Sequence, residues 1–388
     1  MPPTSFSQSL ALIGRRIDWV LFVPALLLIG AGLVTMDSFS TDNYFFTHQL
    51  IWVGISILLF FLLSFVDFRF LKRTSIIVSL FVISTVTLLL ILIFGDIFQG
   101  AQSWFNLGAF AIQPSDPIKI VVLLLLAKYF SRRHVEIAHY RHILISGFYV
   151  FIIFVLVFLQ PDFGSSIIIA SLWLGVILVA GISRKHLLII ACIAALSGVF
   201  LWSFVFQDYQ KARILTFVNP LTDLQGAGYN AYQSTVAVGS GQLLGKGIGY
   251  GTQSRLQFLP EYQTDFIFAA FAEEWGFFGV LLLFILYGVI IWRLLQSSVY
   301  GASNFETLFG VGIAILFMSH ITVHVGMNVG LLPVTGTTLP FMSYGGSHLV
   351  TEFVALGMLM GMRYYGSLVP RQDMYNELVG VTGRAYDS

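Results

Sequence analysis

Long apolar runs separated by short polar segments dominate the chain. A bilayer core of about 30 Å is crossed by roughly 17–25 apolar helical residues, and ten runs approach or reach that length. They cover residues 17–36, 47–66, 74–94, 116–130, 143–159, 163–182, 187–206, 266–292, 307–327 and 347–366. The pattern predicts an all-α polytopic membrane protein, a single integral membrane domain over residues 1–388 with ten transmembrane helices.

Cationic residues select the orientation, because Lys and Arg in short loops concentrate on the cytoplasmic side. With the N-terminus inside, 15 of the 20 Lys and Arg residues lie in inner segments. Lys119 falls within a span, and the other four lie in one long outer loop: Lys211, Arg213, Lys246 and Arg255. We therefore expect both termini to be cytoplasmic.

Composition excludes a soluble domain. Hydrophobic residues make up 57% of the chain and charged residues only 10%, whereas about a quarter of a soluble domain is charged. The net charge of +1 gives no global field that would attract nucleic acid. Cys192 is the single cysteine, so no disulfide can form within the chain.

Three outer segments are too long to be simple turns. Residues 95–115 form the first, and residues 207–265 form a large extracytoplasmic loop between helices 7 and 8. Residues 328–346 contain four Gly and two Pro and no charged residue. Irregular backbone at membrane depth is tolerated only where protein or a water-filled cavity surrounds it, so this third segment is predicted to be re-entrant.

Asp265 is the candidate catalytic residue. It stands at the start of the apolar helix of span 8 and follows the polar residues Glu261 and Thr264. In one interpretation Thr264 or Asp265 only caps that helix. In the other, Asp265 takes a proton from a substrate hydroxyl as a general base.

Glu273 and Glu274 follow in the same helix, about 12–13 Å deeper at 1.5 Å per residue. A charge near mid-membrane costs roughly 2.5–3.5 kcal/mol. At 100° per residue, Glu273 lies about 80° from Asp265 around the helix and Glu274 about 180°. The two glutamates are therefore predicted to have different partners, with Glu273 nearer to Asp265.

Asp116 and Lys119 form a second polar cluster. Pro117 suits the first helical position and disfavours helical geometry before it, so Asp116 is the predicted N-cap. Lys119 then lies one turn inside the membrane. It is expected to pair with Asp116 or a buried Glu, or to face a cavity that receives an anionic head group, and the two roles are compatible.

Residues 239–251 contain six glycines together with Lys246. They lack the Gly-Lys-Ser/Thr of a nucleotide loop, so no nucleotide is expected. The segment is either a flexible loop or a cradle for phosphate that includes Lys246 and Arg255. Asp162 is predicted to cap a tight turn at residues 160–164. The histidines appear scattered, without the spacing of a structural zinc site.

Taken in order, five segments resemble the SEDS family (shape, elongation, division and sporulation proteins). They are Gly100-Ala-Gln-Ser-Trp104, Gln113-Pro-Ser-Asp116 with Lys119, Gln160-Pro-Asp-Phe-Gly164, Leu259 to Glu274, and Leu332 to Ser347. The Pro333-Val-Thr-Gly336 sequence is similar to the RodA branch, since the FtsW branch tends to carry Pro-Thr-Lys-Gly there.

The resemblance implies a peptidoglycan glycosyltransferase of the bacterial cytoplasmic membrane that polymerises lipid II at the outer face. It implies a class B penicillin-binding protein as partner, and it is compatible with a divalent cation, Mg²⁺ or Mn²⁺, whose ligands the chain does not fix. Ser103 stands where many members have Arg, so phosphate binding would rely on Lys119, Lys246, Arg213 or Arg255. The candidate substrate-binding residues are Trp104, Asp116, Lys119, Lys246, Arg255, Glu261, Thr264, Glu273 and Ser343.

Other functions remain open at this point. An FtsW-like septal polymerase would carry the same chemistry in a different process. A lipid II flippase or a secondary transporter would also need buried charges around a cavity. A non-catalytic scaffold for a penicillin-binding protein is the remaining alternative.

Overall fold

The computed structural model describes residues 16–39, 44–98, 101–106, 111–131, 140–206, 211, 215, 217, 228–256, 258–259 and 261–367. Within them the chain is mostly helical. The helices are α1 Trp19–Phe39, α2 Tyr44–Ser64, α3 Thr74–Phe94, α4 Ser115–Ser131, α5 Tyr140–Leu159, α6 Phe163–Ala180, α7 Arg184–Phe200, α8 Tyr229–Ser240, α9 Thr252–Arg255, α10 Ile267–Val299, α11 Asn304–Asn328 and α12 Gly346–Ser367.

Ten of these helices, all except the short α8 and α9, coincide with the ten predicted spans. Eight of the ten, all except α4 and α12, are long and apolar enough to cross a membrane. In the bundle, α12 packs on α2, α10 packs on α1 and α11, and α11 also packs on α4 and α6. The chain is therefore a multi-pass helical membrane protein.

A small antiparallel sheet departs from the all-α prediction. Strands β1 Asp96–Phe98, β2 Ala101–Asn106 and β3 Ala111–Ile112 form it in the order β1-β2-β3. Asp96 lies opposite Trp104, and Phe105 lies opposite Ile112. Two residues separate β3 from α4, so the sheet lies next to the start of that helix.

Helix α10 is interrupted at Gly276, whose φ of 63° and ψ of −165° are not helical. In a continuous helix the N–H groups of Phe277 and Phe278 would donate to the carbonyls of Glu273 and Glu274. The break removes these bonds and leaves two donors and two acceptors in apolar surroundings. Such groups must find other partners, because unpaired buried backbone groups are costly.

The glycine-rich segment, residues 239–251, supplies those partners. Lys246 N donates to Glu273 O at 2.9 Å and Gly247 N to Glu274 O at 3.0 Å. In return, Phe277 N and Phe278 N donate to the carbonyls of this segment, at Gln242 (2.8 Å) and Leu243 (3.2 Å). The segment therefore completes the broken helix, and the expectation of a flexible loop is wrong for this stretch.

Ion pairs close the opposite end of the bundle. Buried Asp18 accepts from Arg293 and Arg363, each at 2.6 Å, and so ties the start of α1 to α10 and α12. Lys72 pairs with buried Glu306 at 3.0 Å. These charges lie at the end that the sequence predicts to be cytoplasmic.

Replacement of Gly276 by alanine should prevent this arrangement. A Cβ at Gly276 would clash with the backbone nitrogen of Gly245, and the positive φ would be strained as well. We expect a loss of at least about 3 kcal/mol in the free energy of unfolding, measured as a lower melting temperature in detergent.

Gly288→Ala is the matched control in the same helix, because a Cβ there meets nothing within 4 Å. Helix propensity favours that change by up to about 1 kcal/mol. Equal melting temperatures for the two variants would show that α10 is not interrupted as described.

Candidate active site

Asp265 lies in a turn that precedes α10 rather than in the helix cap. The cap residue is Phe266, whose own side chain makes no capping hydrogen bond. The backbone N–H of Asp265 donates to the carbonyl of Glu261 at 3.1 Å. Both Asp265 and Glu261 are half-buried. The interpretation that Thr264 or Asp265 serves as the cap is therefore wrong.

Asn328, the last residue of α11, takes over the capping. Its Oδ1 accepts from the N–H of Ala269 at 3.2 Å, in the first turn of α10. Its Nδ2 donates to the carbonyl oxygens of Asp265 (3.0 Å) and His324 (2.8 Å). The amide thus fixes the Asp265 backbone.

The irregular segment between α11 and α12 covers the same turn. Gly336 has a φ of 70°, and a Cβ built on it would lie 3.4 Å from Asp265 Oδ2. Ser343 Oγ donates to the Thr264 carbonyl at 2.8 Å and accepts from Leu339 N at 2.8 Å. Tyr344 N donates to a neighbouring carbonyl, that of Gln263, at 2.8 Å.

Three predicted site residues therefore gather around Asp265. Thr264 Oγ1 donates to Glu261 Oε2 at 3.3 Å, and Ser343 joins the group through the Thr264 carbonyl. Tyr262 lies in the same turn, and burial raises the pKa of its phenol, so it stays protonated at neutral pH. The arrangement holds a carboxylate in a turn that two other segments fix.

Asp116 and Lys119 form a second, fully buried cluster. Lys119 Nζ lies 3.0 Å from Asp116 Oδ1, which confirms the predicted pair. Asp116 is not the N-cap, since α4 already begins at Ser115. Ser347 Oγ donates to Asp116 Oδ2 at 2.8 Å, and His348 Nδ1 lies 3.4 Å from Asp116 Oδ1.

His348 and Glu352, whose Nε2 and Oε1 atoms are 2.9 Å apart, are not among the site residues predicted from the sequence. The prediction that the histidines are scattered is wrong for three of them. His320 and His324 contact the carbonyls of residues 338 and 337, and the rings of His320 and His348 are 4.7 Å apart. The spacing of four residues between His320 and His324 places both on one face of α11 and was the signal available in the sequence. Only the fold brings His348 of α12 next to them.

Glu273 and Lys246 form a third cluster. Their Oε1 and Nζ atoms are 2.6 Å apart, and Glu273 Oε1 also accepts from Thr252 N at 2.9 Å and Gln253 N at 3.2 Å. Glu274 Oε1 accepts from Gly249 N at 2.6 Å. The two glutamates bind different residues, as predicted, but both hold the glycine-rich segment.

Glu274 lies close to the end of α1, and the mid-membrane depth of the two glutamates stays a prediction. Gly249, which Glu274 binds, lies at the end of α1: a Cβ built on it would be 3.5 Å from the carbonyl oxygen of Ser38. α1 ends one residue later, at Phe39.

The remaining candidates lie apart from Asp265. Trp104 is half-buried in β2, and Ser103 beside it donates to the Gln160 carbonyl at 3.3 Å. Arg255 is exposed, with its guanidinium 3.5 Å from the Gly249 carbonyl. Arg213 lies outside the described residues. Asp162 accepts from Ser165 N at 2.9 Å, which confirms its predicted capping role.

Among the described residues, no group of three or more His, Cys, Asp or Glu side chains is placed to hold a metal ion. The carboxylates of the second and third clusters are occupied by Lys119 and Lys246. These residues do not fit a ready-made metal site, and participation of Mg²⁺ or Mn²⁺ stays a prediction.

A family model described as cell cycle protein, which covers FtsW, RodA and SpoVE, matches residues 13–367. The chain is 34% identical over 358 residues to Stage V sporulation protein E of Bacillus subtilis (strain 168), covering 90% of this chain and 97% of that protein. It is 37% identical over 292 residues to peptidoglycan glycosyltransferase MrdB of Escherichia coli (strain K12), covering 75% and 79%.

Solved structures agree. A chain from a study of the structural coordination of polymerization and crosslinking by a peptidoglycan synthase complex has a TM-score of 0.78 and 29% identity, covering 90% of this chain and 98% of that one. The rod shape determining protein RodA of Thermus thermophilus has a TM-score of 0.66 and 28% identity, covering 89% and 96%. The protein is thus of the SEDS class, and this chain belongs to the FtsW, RodA and SpoVE family, which confirms the resemblance.

The contact between Lys246 and Glu273 should stabilise the glycine-rich segment measurably. Lys246→Met leaves a buried carboxylate without its cation, so we expect a loss of about 2 kcal/mol in the free energy of unfolding. This is below the range for fully buried pairs because Lys246 is partly exposed. Unfolding by SDS in mixed micelles measures it.

Glu273→Gln and the double variant complete a thermodynamic cycle. The sum of the two single losses in the free energy of unfolding should exceed the loss in the double variant by at least about 1 kcal/mol. The reason is that each single change removes the same contact. Additive losses would mean that the two side chains do not interact.

Proposed function

We propose that the chain is a peptidoglycan glycosyltransferase that polymerises lipid II at the outer face of the bacterial cytoplasmic membrane, with Asp265 as general base. One observation carries the proposal. The Asp265 carboxylate lies half-buried beside Gly336, in a turn whose backbone Asn328 and Ser343 hold. Asn328 caps α10 and also holds the Asp265 carbonyl, so the turn that carries this carboxylate is fixed.

The proposed reaction joins a lipid-linked disaccharide acceptor to a glycan chain on undecaprenyl pyrophosphate. The acceptor 4-hydroxyl attacks the anomeric carbon of the donor while Asp265 takes the hydroxyl proton. The bond between that carbon and the pyrophosphate oxygen breaks with inversion, and the pyrophosphate leaves as an anion. The activated linkage supplies the free energy, so no nucleotide is required.

Charge neutralisation should contribute more than acid catalysis, because the leaving group is already a stable anion. Of the four cations proposed for phosphate binding, Arg255 is exposed, Lys119 and Lys246 are paired with carboxylates, and Arg213 lies outside the described residues. Arg255 is therefore the cation best placed to meet a phosphate without first breaking an ion pair.

An apolar groove supports the proposal that the substrates are lipid-linked. It lies between α2, α4 and α12 and has a volume of about 160 Å³. Its lining includes Trp52, Pro117, Ile120, Val350 and Val354, and Ser347 at its edge bonds to Asp116. In this proposal the groove takes part of an isoprenoid tail beside the cluster of Asp116 and Lys119.

The topology belongs to the same proposal. Ten spans would place both termini inside and Asp265 outside. The large loop of residues 207–265 would then be extracytoplasmic, and residues 328–346 would line the site from the outer face. Lys72 and Arg293 at the opposite end agree with the inner excess of cations.

The cellular role is proposed to be elongation and shape maintenance, with a class B penicillin-binding protein as partner. The likeness to MrdB and to the RodA structure favours this branch. The partner is supported by the similar chain from a complex that coordinates polymerization with crosslinking. Three alternatives remain: an FtsW-like septal role, a lipid II flippase and a non-catalytic scaffold. A polymerisation assay tests the flippase and the scaffold, and the defect of a depleted strain tests the septal role.

The test uses the purified chain with its penicillin-binding partner in detergent, supplied with labelled lipid II. Wild type should form glycan, and folded Asp265→Asn should lose at least about 10²-fold in rate, the order expected for loss of a general base. Gel separation of labelled products measures the polymer. Asp37→Asn removes the same charge from an exposed position near the end of α1 and should leave the rate unchanged.

Equal polymer from wild type and Asp265→Asn would exclude Asp265 as the base. No polymer from either would favour the flippase or the scaffold, since detergent offers no leaflets to flip between. Elongation and septal roles would then be separated by the division or shape defect of a depleted strain.

A further inference from the structure

We propose that His348 and Glu352 form a positioning unit that connects the Asp116 and Lys119 pair to the turn at Phe341, and through it fixes the place of Asp265. The proposal rests on the proposed function for its effect on catalysis, but its structural part can be tested independently. Neither residue contacts Asp265, so neither is assigned a chemical step.

His348 bridges two carboxylates. Its Nδ1 lies 3.4 Å from Asp116 Oδ1 and its Nε2 lies 2.9 Å from Glu352 Oε1. The Nε2 and Oε1 atoms are at ion-pair distance but do not have hydrogen-bond geometry. His348 thus brings Asp116 and Glu352 to the two sides of one buried imidazole ring, next to Lys119.

Glu352 connects this cluster to the irregular segment. Its Oε2 accepts from Phe341 N at 2.9 Å. Phe341 has a φ of 62°, a left-handed conformation that is unfavourable for a bulky residue. Such a conformation persists only where the surroundings determine it. The ring of Phe341 is buried against Phe317 and Phe353, and Glu352 fixes its amide.

Hydrogen bonds of Ser343 connect the turn at Phe341 to the Asp265 turn. Ser343 N donates to Leu339 O at 3.0 Å and closes the turn. The Ser343 hydroxyl then donates to the carbonyl of Thr264, the residue before Asp265. A displaced Phe341 would therefore displace Ser343 and release the Asp265 turn on one side.

Two histidines of α11 hold the preceding part of the segment. His324 Nδ1 lies 2.6 Å from the Thr337 carbonyl, and His320 Nδ1 lies 3.2 Å from the Thr338 carbonyl. These contacts fix the residues that follow Gly336, beside the Asp265 carboxylate. The segment is thus held by α11 before the turn and by Glu352 of α12 at the turn.

The test compares Glu352→Ala with Glu306→Ala, a closely matched control at the opposite end of the bundle. Glu306 is also buried, also accepts one backbone N–H, from Ala302 at 3.1 Å, and also pairs with one cation, Lys72. Both variants should be destabilised to a similar degree. Only Glu352→Ala should alter the Asp265 region.

Two measurements, hydrogen exchange and kcat, are expected to distinguish Glu352→Ala from Glu306→Ala. Hydrogen exchange in peptides spanning residues 335–345 should be faster in Glu352→Ala than in wild type or Glu306→Ala. The rate constant kcat for lipid II polymerisation, per folded protein, should fall by about 10²-fold in Glu352→Ala, because small misplacements of a reacting group cost that much. KM should change far less than kcat.

Glu352→Gln serves if the alanine variant does not fold. It keeps an oxygen acceptor for Phe341 N but removes the charge facing His348, so exchange and kcat should lie between wild type and Glu352→Ala. Exchange in residues 335–345 that equals the control would overturn the proposal, as would an unchanged kcat. Should Asp265→Asn retain full activity, the base assignment fails, while the exchange measurement still judges the positioning unit.

Discussion

Backbone groups in apolar surroundings need hydrogen-bond partners, and this constraint organises the Asp265 end of the molecule. The chain interrupts its helices at Gly276, in the turn at residues 261–266 and between Asn328 and Gly346. Each interruption exposes groups that a continuous helix would satisfy internally. Each is closed by another segment, so that the loops depend on one another rather than on their own helices.

At each interruption, side chains or loops supply the backbone hydrogen bonds that the helix lacks. The glycine-rich segment pairs with both sides of the Gly276 break, and Asn328 caps α10 in place of a local residue. Glu273 and Glu352 do the same for backbone N–H groups with their carboxylates. Buried carboxylates here therefore hold irregular backbone in place, with Lys246 beside Glu273 and His348 beside Glu352. Asp265 differs from these carboxylates because it lies half-buried in the turn that they help to fix.

Sequence reasoning was most reliable where a signal is local and repeated. Apolar runs located the ten long helices of the described residues, and the spacing of Asp116 and Lys119 predicted their contact. It failed where contacts join distant segments. The strands after α3 are too short for alternation to stand out, and Gly276 is hidden inside an apolar pattern that reads as a continuous helix. His348 and Glu352 gain meaning only because α12 packs beside α4, more than 200 residues away in sequence.

In the proposed mechanism, the acceptor hydroxyl is deprotonated at the Asp265 turn. A cryo-EM map of the Asp265→Asn protein with its partner and a lipid-linked disaccharide would test this most directly. The account predicts the acceptor 4-hydroxyl within about 2.6–3.2 Å of the residue 265 side chain, with Gly336 close to the sugar. An acceptor sugar bound instead beside Lys246 and Glu273, with residue 265 out of reach, would contradict it.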